Sequence, residues 1–90
     1  MKRQSNPPKD NTPAQAFGQV LRTLREAANM SQEKLADKAG YNRTFIGLLE
    51  RGRRNPTLPT IIDLAHSFNL QAAQLVRKVE TLQRRGIFAR

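Results

Sequence analysis

Gln32-Glu33-Lys34-Leu35-Ala36-Asp37-Lys38-Ala39-Gly40-Tyr41-Asn42-Arg43-Thr44-Phe45-Ile46-Gly47-Leu48-Leu49-Glu50-Arg51-Gly52-Arg53-Arg54-Asn55-Pro56 is the stretch on which the fold turns. Leu35, Ala36 and Ala39 share one face of a helix, and Ile46 and Leu49 share one face of a second. Gly40 stands between them, where a sharp turn needs a positive φ that glycine takes without steric cost. Ser31 suits an N-cap, with Met30 and Leu35 as its hydrophobic staple. Asn42 suits the next, with Tyr41 and Ile46 repeating the pattern. Gly52 follows as a C-cap. The spacing predicts helices near 32–39 and 43–51, with small Ala36 at their closest crossing and Ile46 filling the wedge.

Two short helices joined in this way, the second carrying a basic face, make a helix-turn-helix, a motif whose second helix enters the major groove of DNA. The string resembles the Cro and phage-repressor type, the XRE-like class of small bacterial and phage regulators. The residues that carry the resemblance are Gln32, Leu35, Ala36, Ala39, Gly40, Ile46, Leu49, Glu50, Gly52 and Pro56. It extends over residues 14–80. It implies an all-α, compact five-helix lambda-repressor-like domain and a sequence-specific regulator of transcription that binds double-stranded DNA as a homodimer on a palindromic operator. Restriction-modification controllers and toxin-linked antitoxins are both of this type, and a helix after the standard four is like the controllers. The alternative is an antitoxin with a toxin partner, or an adaptor or RNA-binding module that uses the fold for protein or ribosome contacts.

Size and composition agree with one small domain. Ninety residues allow a single core. The absence of cysteine excludes disulfides and thiolate metal sites, and suits a reducing cytoplasm. No apolar run approaches membrane-span length, and Met1-Lys2-Arg3 leads into polar, Pro-rich sequence without the apolar region of a signal peptide. A net charge of +9 points to a polyanionic partner. The expected location is the cytoplasm, at the nucleoid, with no membrane contact.

Residues 1–11 lack apolar periodicity and are expected to form a flexible basic arm, whose Lys2, Arg3 and Lys9 either touch DNA or stay solvated. The domain is expected over 12–86, followed by a tail at 87–90. Thr12, Pro13 and Gln15 open the first helix with a capping box. Phe17, Val20, Leu21, Leu24 and Ala28 form its inner stripe. Thr57 caps a fourth helix with Leu58, Ile61, Ile62, Ala65 and Phe68 inward, and Asn69-Leu70 ends it. A fifth helix near 72–84 stops at Gly86.

With Ile46 and Leu49 inward, the outer face of the 43–51 helix carries Arg43, Thr44, Gly47 and Leu48, the expected base readers, and Arg51. Arg43 fits guanine O6 and N7 with its two-pronged guanidinium, or else holds a phosphate. Thr44 meets a base edge, a phosphate or only its own backbone. Gly47 costs roughly 1 kcal/mol inside a helix, which close approach to a duplex would offset. Leu48 packs on a thymine methyl or belongs to the core. Gln32, whose glutamine touches phosphate in the family, and Asn42, Arg51, Arg53, Arg54 and Asn55 are the expected phosphate contacts. Lys34 and Lys38 add longer-range attraction. By resemblance, Glu50 pairs with Arg25; the other reading is a surface pair with Arg51 or Arg54.

Leu75, Val76, Val79 and Leu82 on the fifth helix exceed what so small a core needs. They are the expected dimer contact, with Ile87 and Phe88 sealing it, unless they only close the monomer. A dimer would set two recognition helices about 34 Å apart. Enzyme chemistry finds little support. His66 is the only histidine, with no metal-ligand spacing and no Gly-rich phosphate loop around it. At most it pairs with Asp63. No cofactor, metal or catalytic residue is expected.

Overall fold

The structure, a computed structural model, describes residues 12–85. The expected arm with Lys2, Arg3 and Lys9, the stop at Gly86, and Ile87 and Phe88 lie outside the described residues. Five helices follow one another: α1 Pro13–Ala27, α2 Gln32–Ala39, α3 Arg43–Glu50, α4 Leu58–Ser67 and α5 Ala72–Arg85. No strand occurs among the described residues. None of these helices is long and apolar enough to cross a membrane.

The first four helices open on side-chain caps. Thr12 Oγ1 accepts from Gln15 N at 3.1 Å, Ser31 Oγ from Lys34 N at 3.0 Å, Asn42 Oδ1 from Phe45 N at 2.8 Å and Thr57 Oγ1 from Thr60 N at 3.3 Å. Each satisfies one of the orphan N–H groups of a first turn. The same four helices close alike. Asn29, Gly40, Gly52 and Asn69 adopt positive φ. The next residue then donates its N–H back across the last turn: Met30 to Arg25, Tyr41 to Ala36, Arg53 to Leu48 and Leu70 to Ala65. Asparagine serves at two of these stops because its short polar side chain tolerates the left-handed region.

α1 packs on α3 and α5, α2 on α3 and α4, and α4 on α5. Leu21, Leu35, Ile46, Leu49, Leu64 and Leu75 are fully buried at the centre. Burying a side chain of this kind stabilises a fold by about 1.5–3 kcal/mol. Three expectations about the core need correction. Ala28 is exposed, because Asn29 ends α1 before that position reaches the core. Leu58 is 67 % exposed and Ile62 only half-buried, because α4 is turned so that Leu64 sits at its centre. Leu75 is fully buried, which removes it from any surface a partner could touch, and Val79 keeps only 9 % of its surface open. Leu82 is half-buried, and Val76 keeps 38 % of its surface open.

Two buried hydroxyls are satisfied. Thr60 Oγ1 lies 3.1 Å from both Tyr41 Oη and Thr57 Oγ1, and Ser67 Oγ donates to the Asp63 carbonyl at 3.1 Å. Tyr41 Oη also donates to Asp63 Oδ2 at 2.7 Å, so α2's end is tied to α4. That carboxylate is the one expected to pair with His66; the phenol takes it instead.

Candidate nucleic-acid interface

α3 is a short rod with one face sunk in the core. Ile46 and Leu49 are wholly buried. Arg43 and Thr44 stand exposed at its N-terminal end, and Leu48 is half-buried one turn on. Gly47 departs from expectation. It faces away from the core, yet it is covered in the free protein by two long side chains. A Cβ built there would lie 3.2 Å from Arg51 Nη1 and 3.8 Å from Gln32 Oε1. The glycine therefore floors a shallow site roofed by flexible polar groups.

α1 is tied to α3 by the Arg25–Glu50 pair. Arg25 Nε donates to Glu50 Oε2 at 2.6 Å, Nη2 to Oε1 at 3.1 Å, and Nη1 to the Met30 carbonyl at 2.8 Å. The side chains are only 12 % and 4 % exposed. The hydrogen bond to Glu50 raises the Arg25 pKa, against the opposing effect of burial. Gln32, the first residue of α2, adds its amide: Nε2 donates to Glu50 Oε1 at 3.0 Å. One carboxylate thus collects donors from α1 and α2 and sets the tilt of α3 against both. Such a pair fixes geometry more surely than it adds net stability. It also explains an acid beside a run of arginines: its charge is met from beneath and does not oppose an anion above.

The approach of α1 to α3 depends on Gly18, which sequence reasoning missed. A Cβ there would collide with the Leu49 carbonyl and lie 2.6 Å from that of Glu50. The only signal was a glycine in the middle of an otherwise regular amphipathic helix.

Beyond α3 the chain is cationic. Arg51, Arg53, Arg54 and Asn55 are exposed. The Arg54 guanidinium carbon sits 5.5 Å from the centre of the Phe45 ring, which lies 5.4 Å from Tyr41 at a tilt of 32°. Stacking of this kind restrains an arginine that would otherwise sample many rotamers. Phe45 was not singled out in the sequence, where it looked like one more residue between Thr44 and Ile46. Asn42 has its oxygen engaged as a cap and its amide hydrogens without partners among the described residues. Lys34 and Lys38 are exposed on α2. Among the described residues no group of three or more His, Cys, Asp or Glu converges to hold a metal.

Comparison with known proteins agrees with this geometry. The family described as helix-turn-helix matches residues 21–75. Control protein C.SmaI of Serratia marcescens is 43 % identical over 58 residues, which cover 64 % of this chain and 69 % of that protein. The restriction-modification controller protein C.AhdI from Aeromonas hydrophila has a similar structure, with a TM-score of 0.66 and 42 % identity over 69 % of this chain and 94 % of that one. The controller protein C.Esp1396I, solved as a tetramer in complex with its natural 35 base-pair operator, gives a TM-score of 0.72 over 80 % of this chain and 95 % of that one. At 22 % identity this last likeness is one of fold.

Proposed function

Because this chain belongs to the helix-turn-helix family, we propose that it is a sequence-specific regulator of transcription that binds double-stranded DNA, of the restriction-modification controller type. α3 docks in the major groove. Arg43, Thr44 and Leu48 meet base edges. Gly47 lets the duplex come close once the Arg51 and Gln32 side chains swing toward phosphates. Asn42, Arg53, Arg54 and Asn55 hold the backbone and set register. The observation that carries this reading is the exposed Arg43-Thr44 end of a helix whose opposite face is locked by Ile46, Leu49 and the Glu50 pair. Protein of this kind works in the cytoplasm and needs no cofactor.

The regulator acts as a homodimer. Support comes from apolar surface the monomer leaves open: Leu58 is exposed at the start of α4, and Val76 lines a cleft of about 210 Å³ between the start of α1, the 55–56 loop, α4 and α5. A second copy would cover it by the same patch on both sides. Selection of binding sites from random duplex by the purified protein tests both parts. The expected outcome is an enriched sequence with two inverted half-sites about one helical turn apart. Affinity should fall with salt at a log-log slope near −0.9 per phosphate held. Recovery of unenriched duplex would overturn the reading.

A further inference from the structure

A second cationic surface lies away from α3. Along one flank of α5, Arg77, Lys78 and Arg85 line an open groove of about 530 Å³, with Leu70 and Leu82 also in its lining. Arg77, Thr81 and Arg85 are four residues apart and so lie in one row down the helix. None of the three cations forms an ion pair among the described residues. No carboxylate lines the groove. Three like charges held together at an unmatched site repel one another, and an anionic occupant would relieve that.

The lining and the charge limit what that occupant is. α5 packs on α1 and α4, whereas α3 packs on α1 and α2, so the groove is no extension of the recognition surface. A second copy of this chain, at net charge +9, would bring further positive charge to it. The 1–11 segment carries Lys2, Arg3 and Lys9 against Asp10 alone, and is equally unsuited. The self-association cleft is distinct: it is lined by Val76 and Val79, on the other side of the α5 stripe. A nucleic acid would use the cations but leave Leu70 and Leu82 unmatched, since its backbone offers no apolar side chains. An acidic chain with apolar residues between its carboxylates uses both.

We propose that the α5 groove is a docking site for an acidic, amphipathic segment of another protein, with its carboxylates on Arg77, Lys78 and Arg85 and its apolar side chains on Leu70 and Leu82. The regulator would then hold DNA with one cationic surface and a protein with the other.

The test is fluorescence anisotropy on the full chain. The probe is a fluorescein-labelled helical peptide with leucines on one face and Asp or Glu elsewhere. Its controls are a scramble of the same composition and polyglutamate of the same length. The designed peptide should bind and both controls should bind about tenfold more weakly. The R77E/K78E variant, checked for fold by circular dichroism, should lose about tenfold or more in peptide affinity. It should keep its affinity for a selected duplex, and R53A/R54A should show the reverse pattern. The proposal fails if the peptide does not bind, if the controls bind equally well, or if R77E/K78E binds the peptide as before. A loss of duplex affinity in R77E/K78E comparable to that of R53A/R54A would assign the groove to nucleic acid and also overturn it.

Discussion

Gly18 of α1 lies directly against the carbonyl oxygen of Glu50 at the end of α3; a Cβ at that position would come within 2.6 Å of it. The obstacle is main chain, which cannot rotate aside as a side chain can. Gly18→Ala should therefore destabilise the domain by about 2 kcal/mol or more, despite alanine's better helix propensity. Urea denaturation checks this, and an unchanged midpoint would mean that the helices are not so close.

The buried Glu50 carboxylate is met by two nitrogens of Arg25. Arg25→Ala leaves that charge uncompensated and should cost about 3–5 kcal/mol. The double replacement Arg25→Met with Glu50→Leu removes both charges and should cost clearly less than Arg25→Ala alone. Chemical denaturation of the two variants decides it. The same loss in both would show that the pair contributes through packing.

Gly47 gives the opposite sign from Gly18. Its nearest obstacle is the end of the flexible Arg51 side chain. Gly47→Ala should stabilise the free protein by about 0.5–1 kcal/mol, the helix-propensity gain, and should weaken duplex binding because the methyl group occupies the approach. Thermal melting and gel shift measured on the same variant separate the two effects. A gain in both would remove Gly47 from the interface.

Tyr41 is the only tyrosine in the chain, so its ionisation can be followed by absorbance. The bond with Thr60 lowers its pKa, but the bond to Asp63, burial and the Asp63 charge together outweigh that and raise it above the ordinary tyrosine value. A group that holds its proton more tightly when folded stabilises the fold fully below its unfolded pKa, and that stability is lost as pH rises through the folded one. The absorbance titration should therefore be displaced to higher pH, and Asp63→Asn should move it down. An unmoved titration would contradict the Tyr41–Asp63 contact.

Much of this architecture is legible in the residues because caps and stops are local. Thr12, Ser31, Asn42 and Thr57 mark helix starts, and Gly40 and Gly52 mark ends, through chemistry that acts within one turn. The turning of α4 is not legible. Leu58, Ile61 and Ile62 are equally apolar, and only the position of α2 and α5 decides that Leu64 goes inward and Leu58 out. The burial of Leu75 is hidden for the same reason. At the candidate interface, the outward positions of Arg43 and Thr44 follow from helical period alone. The covering of Gly47 and the stacking of Arg54 on Phe45 depend on side chains meeting across a loop, which periodicity does not encode. The fit of Gly18 against α3 needs the crossing of two helices to be known first.

Sequence reading by α3 depends first on Arg43. Affinities of Arg43→Ala and Arg54→Ala should be measured against a selected duplex and a panel with single base-pair changes. Arg43→Ala should lose about 1–3 kcal/mol and relax preference at one base pair in each half-site. Arg54→Ala should weaken all duplexes alike. An Arg43→Ala protein with unchanged affinity and unchanged preference would contradict the assignment of α3 as the reading helix.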